Sequence, residues 1–414
     1  MSAEDPFAGK AEWFDRNYRE TSHGRVRLEL VLERVVESLP PPPASVLDAG
    51  GGTGAFAIPL AERGYDVTVL DRSTEWLGVA EARAAEAGVR LTLVEGSAED
   101  VARLFPGGRF DGVLCHTLLL YLDDPGAALR SLRAVARSGA VLSVLEKNRE
   151  GLAMRPGLHG EPDEARRVLE DPMAAGRLGI VNRARSAGEL RAVLLAAGWR
   201  TLDWAGVRLF SDLVLTFDPD QHRRLLELER AAGRKDPYRR VARFVHLRAT
   251  TVEDPTPSLE MVQARSQERA TAVTRSAWPP LQAMSGPELI EFLGGPRYGV
   301  VSTVRPDGRS HATMSAYRHH QGRLYLPTES GAVRIRNLAA EPSLTFIVTE
   351  GARGQHQLVL IEGDVIVHQD PEPVLSGWLR DEWRRAYGSE LTWASRIIEV
   401  VPHRVLSYAA TPRS

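Results

Sequence analysis

Residues 46 to 54 read VLDAGGGTG, an apolar run that closes on an aspartate and a cluster of glycines. Glycines at a strand-to-helix turn let the backbone approach a bound cofactor closely, and the start of the next helix offers amide donors with no partner of their own. Spacing alone leaves two ligands open. Gly50, Gly52 and Ala55 also satisfy the dinucleotide pattern, and Asp71 lies about 20 residues on, where a carboxylate holds ribose hydroxyls in either case. Asp48 tips the balance. Two residues before Gly50, it sets a carboxylate beneath the turn, attractive to a cationic amino group and repulsive to a pyrophosphate. The segment Glu95-Gly96-Ser97-Ala98-Glu99-Asp100 falls after a third apolar run, where an adenine would be bracketed. These features favour S-adenosylmethionine over a nicotinamide dinucleotide.

Positioning those groups takes strands that feed helices, and the chain supplies the alternation. Strand-like runs fall at Ser45 to Ala49, Asp66 to Asp71, Arg90 to Glu95, Phe110 to His116 and Ala140 to Glu146. Helical spacing lies between them, to about Arg63, to about Ala87, near Val101 and from Pro125 to Ala136. An earlier helix, with Val26, Leu30, Val31 and Val35 on its apolar face, stops at Pro40. The pattern predicts an α/β fold with a parallel, doubly wound, Rossmann-like sheet. Arg149 to Arg185, polar and dotted with Gly, Pro and Arg, is expected to cap the strand ends. A helix from Ala187 to Ala197, strand-like segments at Trp199 to Trp204 and Val207 to Val214, a helix from Pro219 to Ala232 and a strand from Val241 to Ala249 complete a first domain of residues 1–250. Residues 251–283, containing a polar helix or flexible arm, are expected to be a linker. Residues 284–414 change character to β-rich runs around the turn Arg305-Pro306-Asp307-Gly308, which predicts a small, mostly antiparallel barrel.

Bulk properties narrow the class. At 414 residues, two domains are the natural expectation. No run approaches the roughly 18 apolar residues of a membrane span. The opening MSAEDPFAGK has neither the charged nor the apolar region of a signal peptide, so a cytoplasmic protein with no membrane partner is expected. Cys115 is the only cysteine, which excludes an internal disulfide and a cysteine cluster for metal; no metal is expected. The net charge of −2 gives no overall field for nucleic acid. Residues 221–250 nonetheless carry Arg223, Arg224, Arg230, Arg234, Lys235, Arg239, Arg240, Arg243 and Arg248 against Glu227, Glu229 and Asp236. A solvated helix face explains that run more simply than an RNA-binding patch.

Longer phrases accompany the glycine turn: FDRNYRETSHGRVRLEL before the first strand, AERGYDVTVLDRS, FDGVLCHTLLLYLDDP, AGVRLFSD at 205 to 212 and DPYRRVARFVHLRA. On these, residues 10 to 250 resemble the class I methyltransferases that esterify the carboxyl group of 5-carboxymethoxyuridine at the tRNA wobble position. The resemblance implies that Arg27, Gly50, Gly51, Asp71, Ala98, Glu99 and His116 contact the cofactor, beside Asp48 and Gly52. Where the family has a lysine cluster in the cap, this chain has LGIVNRARSAGEL. Methyl transfer is an in-line displacement from a sulfonium, so alignment and desolvation supply most of the rate. A carboxylate nucleophile is ionised near neutral pH and needs no base. An oxygen, nitrogen or carbon acceptor would want one, and His116 or Tyr121 is the candidate catalytic residue. Arg208 and Arg243 could clamp a substrate carboxylate or phosphate, since guanidinium pairs with either bidentately.

The second domain carries FLGGPRYGVVSTVRPDGRSHATM, GRLYLPTESGAVRIRNLAAEPSLTFIV and LVLIEGDVIV. On these it resembles the pyridoxamine 5′-phosphate oxidase-like split-barrel family, whose members bind FMN, a deazaflavin or haem. The resemblance implies a flavin or deazaflavin phosphate held by Ser302, Thr303, Arg305 and Arg334, and a homodimer with the cofactor between subunits. His319 and His320 read as loop residues rather than haem ligands. A flavin brings its own redox centre, so the protein need only grip the phosphate and cover the ring.

The leading functional expectation is a methyltransferase acting on a carboxylate or an RNA wobble-uridine derivative, fused to an oxidoreductase-like flavin or deazaflavin barrel. A small-molecule methyltransferase whose barrel only dimerises or senses a cofactor is the alternative.

Overall fold

The computed structural model describes residues 9–171, 183–213, 218–252, 257–352, 355–369, 371 and 373–410. They fall in two compact units, Met1–Val252 and Glu253–Ser414.

The first unit is built on a seven-stranded sheet. Its strands are β1 (Ser45–Ala49), β2 (Asp66–Asp71), β3 (Thr92–Glu95), β4 (Phe110–His116), β5 (Ala136–Lys147), β6 (Trp199–Val207) and β7 (Phe244–Thr251). Their spatial order is β3-β2-β1-β4-β5-β7-β6. Val46, Leu47, Val67, Val69, Val113, Leu114, Leu142 and Val144 are all buried, as strands covered by helices on both faces require. Helices Ser22–Val36 and Ala57–Ala61 cover one face, and Pro125–Val135 and Ala187–Ala196 the other. Local chemistry sets their starts. Thr21 caps the first through Gly24 N, Asp124 precedes Pro125 at a first turn, and Ser186 with Glu189 forms a reciprocal capping box.

Two expectations need correction. The sheet is not parallel throughout: β7 enters between β5 and β6 and runs antiparallel to both. Only one strand, β6, forms where two were expected, and Val214 lies outside the described residues. The reversal has a positional effect. It brings the beginning of β7 to the end of the sheet where the other strands finish, with Phe244 opposite Lys147 and His246 opposite Leu145. The strand order reverses between β1 and β4, which opens a crevice at their carboxyl ends, the usual ligand position in such sheets.

Of the expected cap, helices Met154–Leu158 and Pro162–Glu170 are described, while residues 172–182, and with them part of LGIVNRARSAGEL, lie outside the described residues. The arginine-rich run behaves largely as a solvated face. Arg223 pairs with Asp220, Arg230 with Glu33, Arg234 with Glu37, and both Arg239 and Arg240 with Asp236.

The second unit is an all-antiparallel sheet curled into a half-barrel. Its strands are β8 (Tyr298–Val304), β9 (Ser310–Ala316), β10 (Arg318–His320), β11 (Arg323–Thr328), β12 (Ser343–Glu350), β13 (Gln357–His368) and β14 (Arg396–Ala409), ordered β10-β11-β14-β13-β12-β8-β9. The two outermost strands, β9 and β10, are consecutive in the chain and joined by Tyr317 alone. β14 runs unbroken through Arg396–Ala409, with a register shift opposite Glu362 and Gly363. The expected linker also differs. Helix Leu259–Glu268 buries Leu259 and Val262 in the barrel core, while Gln263 Nε2 donates to Met284 O and Ser266 Oγ accepts from Val405 N. Among the described residues, no helix is long and apolar enough to cross a membrane.

Candidate active site

β1 delivers Asp48 and then breaks into the glycine turn. Gly50 and Gly52 take φ of +70° and +56°, the left-handed region that side chains with a Cβ rarely adopt. Gly51 is required for a different reason: a Cβ there would lie 2.7 Å from Asp48 Cγ and Oδ2. The Asp48 carboxylate therefore sits directly under the turn. It is 2% exposed, and its Oδ2 has no hydrogen-bond partner among the described residues. Burial, with the Asp71 charge second, pushes its pKa up to about 7.

Asp71 ends β2 and organises the same loop from the side. Its Oδ2 accepts from Gly52 N at 2.9 Å, and its Oδ1 from Ser73 N at 3.0 Å. Gly96 N donates to Asp71 O, which fixes the start of the loop carrying Ala98 and Glu99; Ala98 is buried and Glu99 exposed. His116 ends β4 one residue past the Ala49–Cys115 register pair. Its ring meets Phe56 edge-on at 4.4 Å between centroids. Asp48, Gly50, Gly51, Gly52, Asp71, Ala98 and His116 thus gather around the crevice between β1, β2, β3 and β4.

Arg27 extends this group toward the substrate candidates. It is buried, its guanidinium lies 5.3 Å from the Phe244 ring centroid, and Arg208 lies 5.4 Å from the same ring. Arg208 holds φ of +64°, a strained conformation for an arginine. Its Nε donates to Asp212 at 2.6 Å, and Arg243 Nε is 3.4 Å from the other oxygen of that carboxylate. Arg208 and Arg243 are therefore brought together. Mutual repulsion is felt throughout the cluster: burial and then Arg243 lower Lys147 to about 8, and burial and then Arg208 lower His23 to about 4. Glu146 adds little opposing charge near neutral pH, because burial raises it to about 8.

Tyr121 ends the 3-10 turn Leu119–Tyr121, which Glu146 holds by accepting from Leu118 N at 3.0 Å and Leu119 N at 2.7 Å. Glu146 was not among the residues expected from sequence, nor were two other clasps. Asn148, fully buried, donates to Arg240 O and Ala242 O and so sets the segment leading to Arg243. Glu229 accepts from the amides of Leu209, Phe210 and Ser211, holding the loop that carries Arg208. The sequence placed Glu229 on a solvated face; it is 1% exposed.

The methyltransferase domain family matches residues 46–139, spanning the glycine turn, Asp71 and His116. The tRNA 5-carboxymethoxyuridine methyltransferase of Escherichia coli (strain K12) is 33% identical over 246 residues, 58% of this chain and 93% of the relative. The chain belongs to the S-adenosylmethionine-dependent methyltransferases. A shorter likeness joins this methyltransferase to the ubiquinone biosynthesis O-methyltransferase of Xanthomonas axonopodis pv. citri (strain 306), 36% identical over 124 residues, 30% of this chain and 50% of that enzyme. Among solved structures, magnesium protoporphyrin IX methyltransferase from Synechocystis PCC 6803 covers 56% of this chain and 85% of its own, at 18% identity and a TM-score of 0.37. The pyridoxamine 5′-phosphate oxidase family matches residues 285–408 of the methyltransferase's second unit.

The cofactor fits the first site. A cationic amino group would satisfy the orphaned Asp48 oxygen, and no Cβ closes the space beside it. In the second unit the four expected phosphate ligands are not assembled as a set. Ser302 and Thr303 are adjacent on β8, where burial alternates residue by residue, so they face opposite sides of the sheet. Thr303 Oγ1 is occupied by Asn337 Nδ2 at 2.9 Å, and Arg305 is exposed in the turn. Arg334, in the first turn of helix Val333–Ala340, keeps a buried Nη1 without a partner among the described residues. His311 Nδ1 and Thr313 Oγ1, on the strand paired with β8, are likewise buried and unpartnered among the described residues. His319 and His320 lie on β10, not in a loop.

Proposed function

We propose that this methyltransferase esterifies an anionic acceptor, the carboxylate of a modified wobble uridine in tRNA. The observation that carries the reading is the group of cations Arg27, Lys147, Arg208 and Arg243 gathered near Phe244, with the Asp212 carboxylate between Arg208 and Arg243. Such a group concentrates an anion and gives a carboxylate a planar, bidentate partner. Identity to the Escherichia coli relative across nearly its full length supports the same acceptor class.

S-adenosylmethionine, when bound, supplies a methyl group made electrophilic by the sulfonium. Asp48 would hold its amino group, Asp71 its ribose, and the Ala98–Glu99 loop its adenine. A carboxylate acceptor, already ionised near neutral pH, would take that methyl group without giving up a proton, so no residue of the chain is needed as a base. The chain contributes alignment, through the arginines, and exclusion of water.

Label transferred from methyl-labelled S-adenosylmethionine to tRNA should be released as methanol by mild alkali, as an ester would be. Arg243→Gln is expected to raise the acceptor KM roughly tenfold with cofactor affinity unchanged. Alkali-stable label, or no transfer to tRNA, overturns the reading.

For the second unit we propose a flavin or deazaflavin cofactor between two copies of the chain. The family match supports it, as do the unpartnered Arg334 Nη1 and the apolar Tyr298, Val300, Val304 and Met314 exposed on β8 and β9. Thr303 accepts from Asn337 and keeps its hydroxyl proton to donate, and Arg334 supplies the positive charge for the phosphate. Purified protein should sediment as a dimer and absorb between about 370 and 450 nm. Arg334→Ala should lose the colour while keeping the dimer. A colourless protein that takes up neither added FMN nor deazaflavin would refute the cofactor.

A further inference from the structure

A chain of buried polar side chains runs from the candidate site across the sheet. Arg34 Nε donates to His246 Nδ1 at 3.0 Å. His246 Nε2 and His116 Nε2 each lie 2.8 Å from Ser143 Oγ. At the far end, Arg34 donates to Asp203 Oδ1 at 2.7 Å, and Arg248 Nε donates to the same oxygen at 2.9 Å. His116, Ser143, His246 and Arg34 are all at least nine-tenths buried.

The chain has a fixed direction because an arginine can only donate. His246 Nδ1 must accept, so in the neutral imidazole the proton is on Nε2 and is given to Ser143 Oγ. The hydroxyl proton then has the other imidazole to go to, and Ser143 donates to His116 Nε2. A neutral His116 accepting at Nε2 carries its proton on Nδ1. That nitrogen is buried and has no partner among the described residues.

We propose that Arg34, His246 and Ser143 act as positioning residues that lock His116 as an Nδ1–H donor, which meets an anionic oxygen of a bound molecule and cannot serve as a general base. The direction agrees with the electrostatics. Burial, then the Arg27 charge, lowers His116 to about 3, and burial, then Arg34, lowers His246 well below the usual histidine range. The expectation that His116 takes a proton from the acceptor is thereby replaced, since its basic nitrogen already faces Ser143. Two sources could supply the oxygen, the cofactor's carboxylate or the acceptor's. That assignment rests on the methyltransferase site; the tautomer does not.

The test is a two-bond proton–nitrogen correlation spectrum of the full chain with labelled histidine, without ligand. His116 should show a protonated Nδ1 and a bare Nε2 across pH 6 to 8, a window of about two units around the ordinary histidine pKa. Ser143→Ala and His246→Leu should release this state. His246→Gln should restore it, because an amide can accept from Arg34 and donate to Ser143. His116 found protonated on Nε2, or Ser143→Ala leaving the spectrum unchanged, overturns the lock. His116→Phe, which keeps the contact with Phe56, then locates the oxygen. Roughly tenfold weaker binding of S-adenosylhomocysteine assigns it to the cofactor, and a roughly tenfold higher acceptor KM alone assigns it to the acceptor. No change in either removes the anionic oxygen from the proposal, whatever the acceptor proves to be.

Discussion

Asparagine in place of Asp48 is expected to abolish cofactor binding, by about 100-fold or more, while making the ligand-free protein more stable above pH 7. Both effects come from one carboxylate held beneath Gly51 with an oxygen that nothing among the described residues satisfies. Folding raises its pKa from 3.8 to about 7, so the protonated form is the one the folded chain prefers. The stability it contributes is full below about pH 4 and is lost as pH rises through about 7. At pH 8 the ionised group is a burden, and Asp48→Asn removes it. A gain of roughly 2 kcal/mol, or several degrees in Tm, is expected. Ligand binding has the opposite sign. A cationic amino group needs the ionised carboxylate, so wild-type affinity for S-adenosylhomocysteine should fall by up to about tenfold per pH unit below 7. Calorimetry across pH 5.5 to 8.5, a span of about three units around that value, checks both signs. Undiminished affinity in Asp48→Asn would remove the cofactor from this crevice.

The second large effect is expected from Gly52→Val. A Cβ at that position would sit 2.8 Å from Trp76 Cε3, and φ of +56° is strained for any β-branched residue. The turn has to move, and Gly52 N then leaves Asp71 Oδ2. Cofactor affinity should drop by at least about 100-fold, with far-UV circular dichroism retained because the turn lies outside the strand ladder. Gly139→Ala is the control. Its φ is also positive, at +78°, but a Cβ there meets nothing within 4 Å, so only the backbone conformation is disfavoured. A cost of about 1 kcal/mol and unchanged binding are expected. Asp71→Ala should resemble Gly52→Val more than the control, since it withdraws the acceptor for both Gly52 N and Ser73 N.

The glycine turn was legible because its chemistry is local. Asp48, Gly50, Gly51, Gly52 and Asp71 lie within a short stretch, and the bordering apolar runs are buried on both faces. The direction of β7 was not legible, because an apolar run looks the same whichever way it pairs. The clasps escaped for a related reason. Ser143 and His246 meet only once β7 is laid beside β5, and Asn148 reaches its partners in the same way. A signal was present in each: a serine and a glutamate inside AVLSVLEK, and a histidine inside FVHL, are polar groups in strands with no wet face. Ser302 and Thr303 could have been separated from sequence, since neighbours on a strand alternate sides. Glu229 was misjudged because a charge run hides an inward member.

The barrel's two outermost strands are one continuous stretch, bent at the buried Tyr317. The sheet's two margins are therefore a seven-residue and a three-residue segment that follow one another in the chain. Little backbone is left on which a foreign strand could zip. Association through side chains projecting from the sheet's surface can be tuned by point substitution without touching the hydrogen-bond ladder.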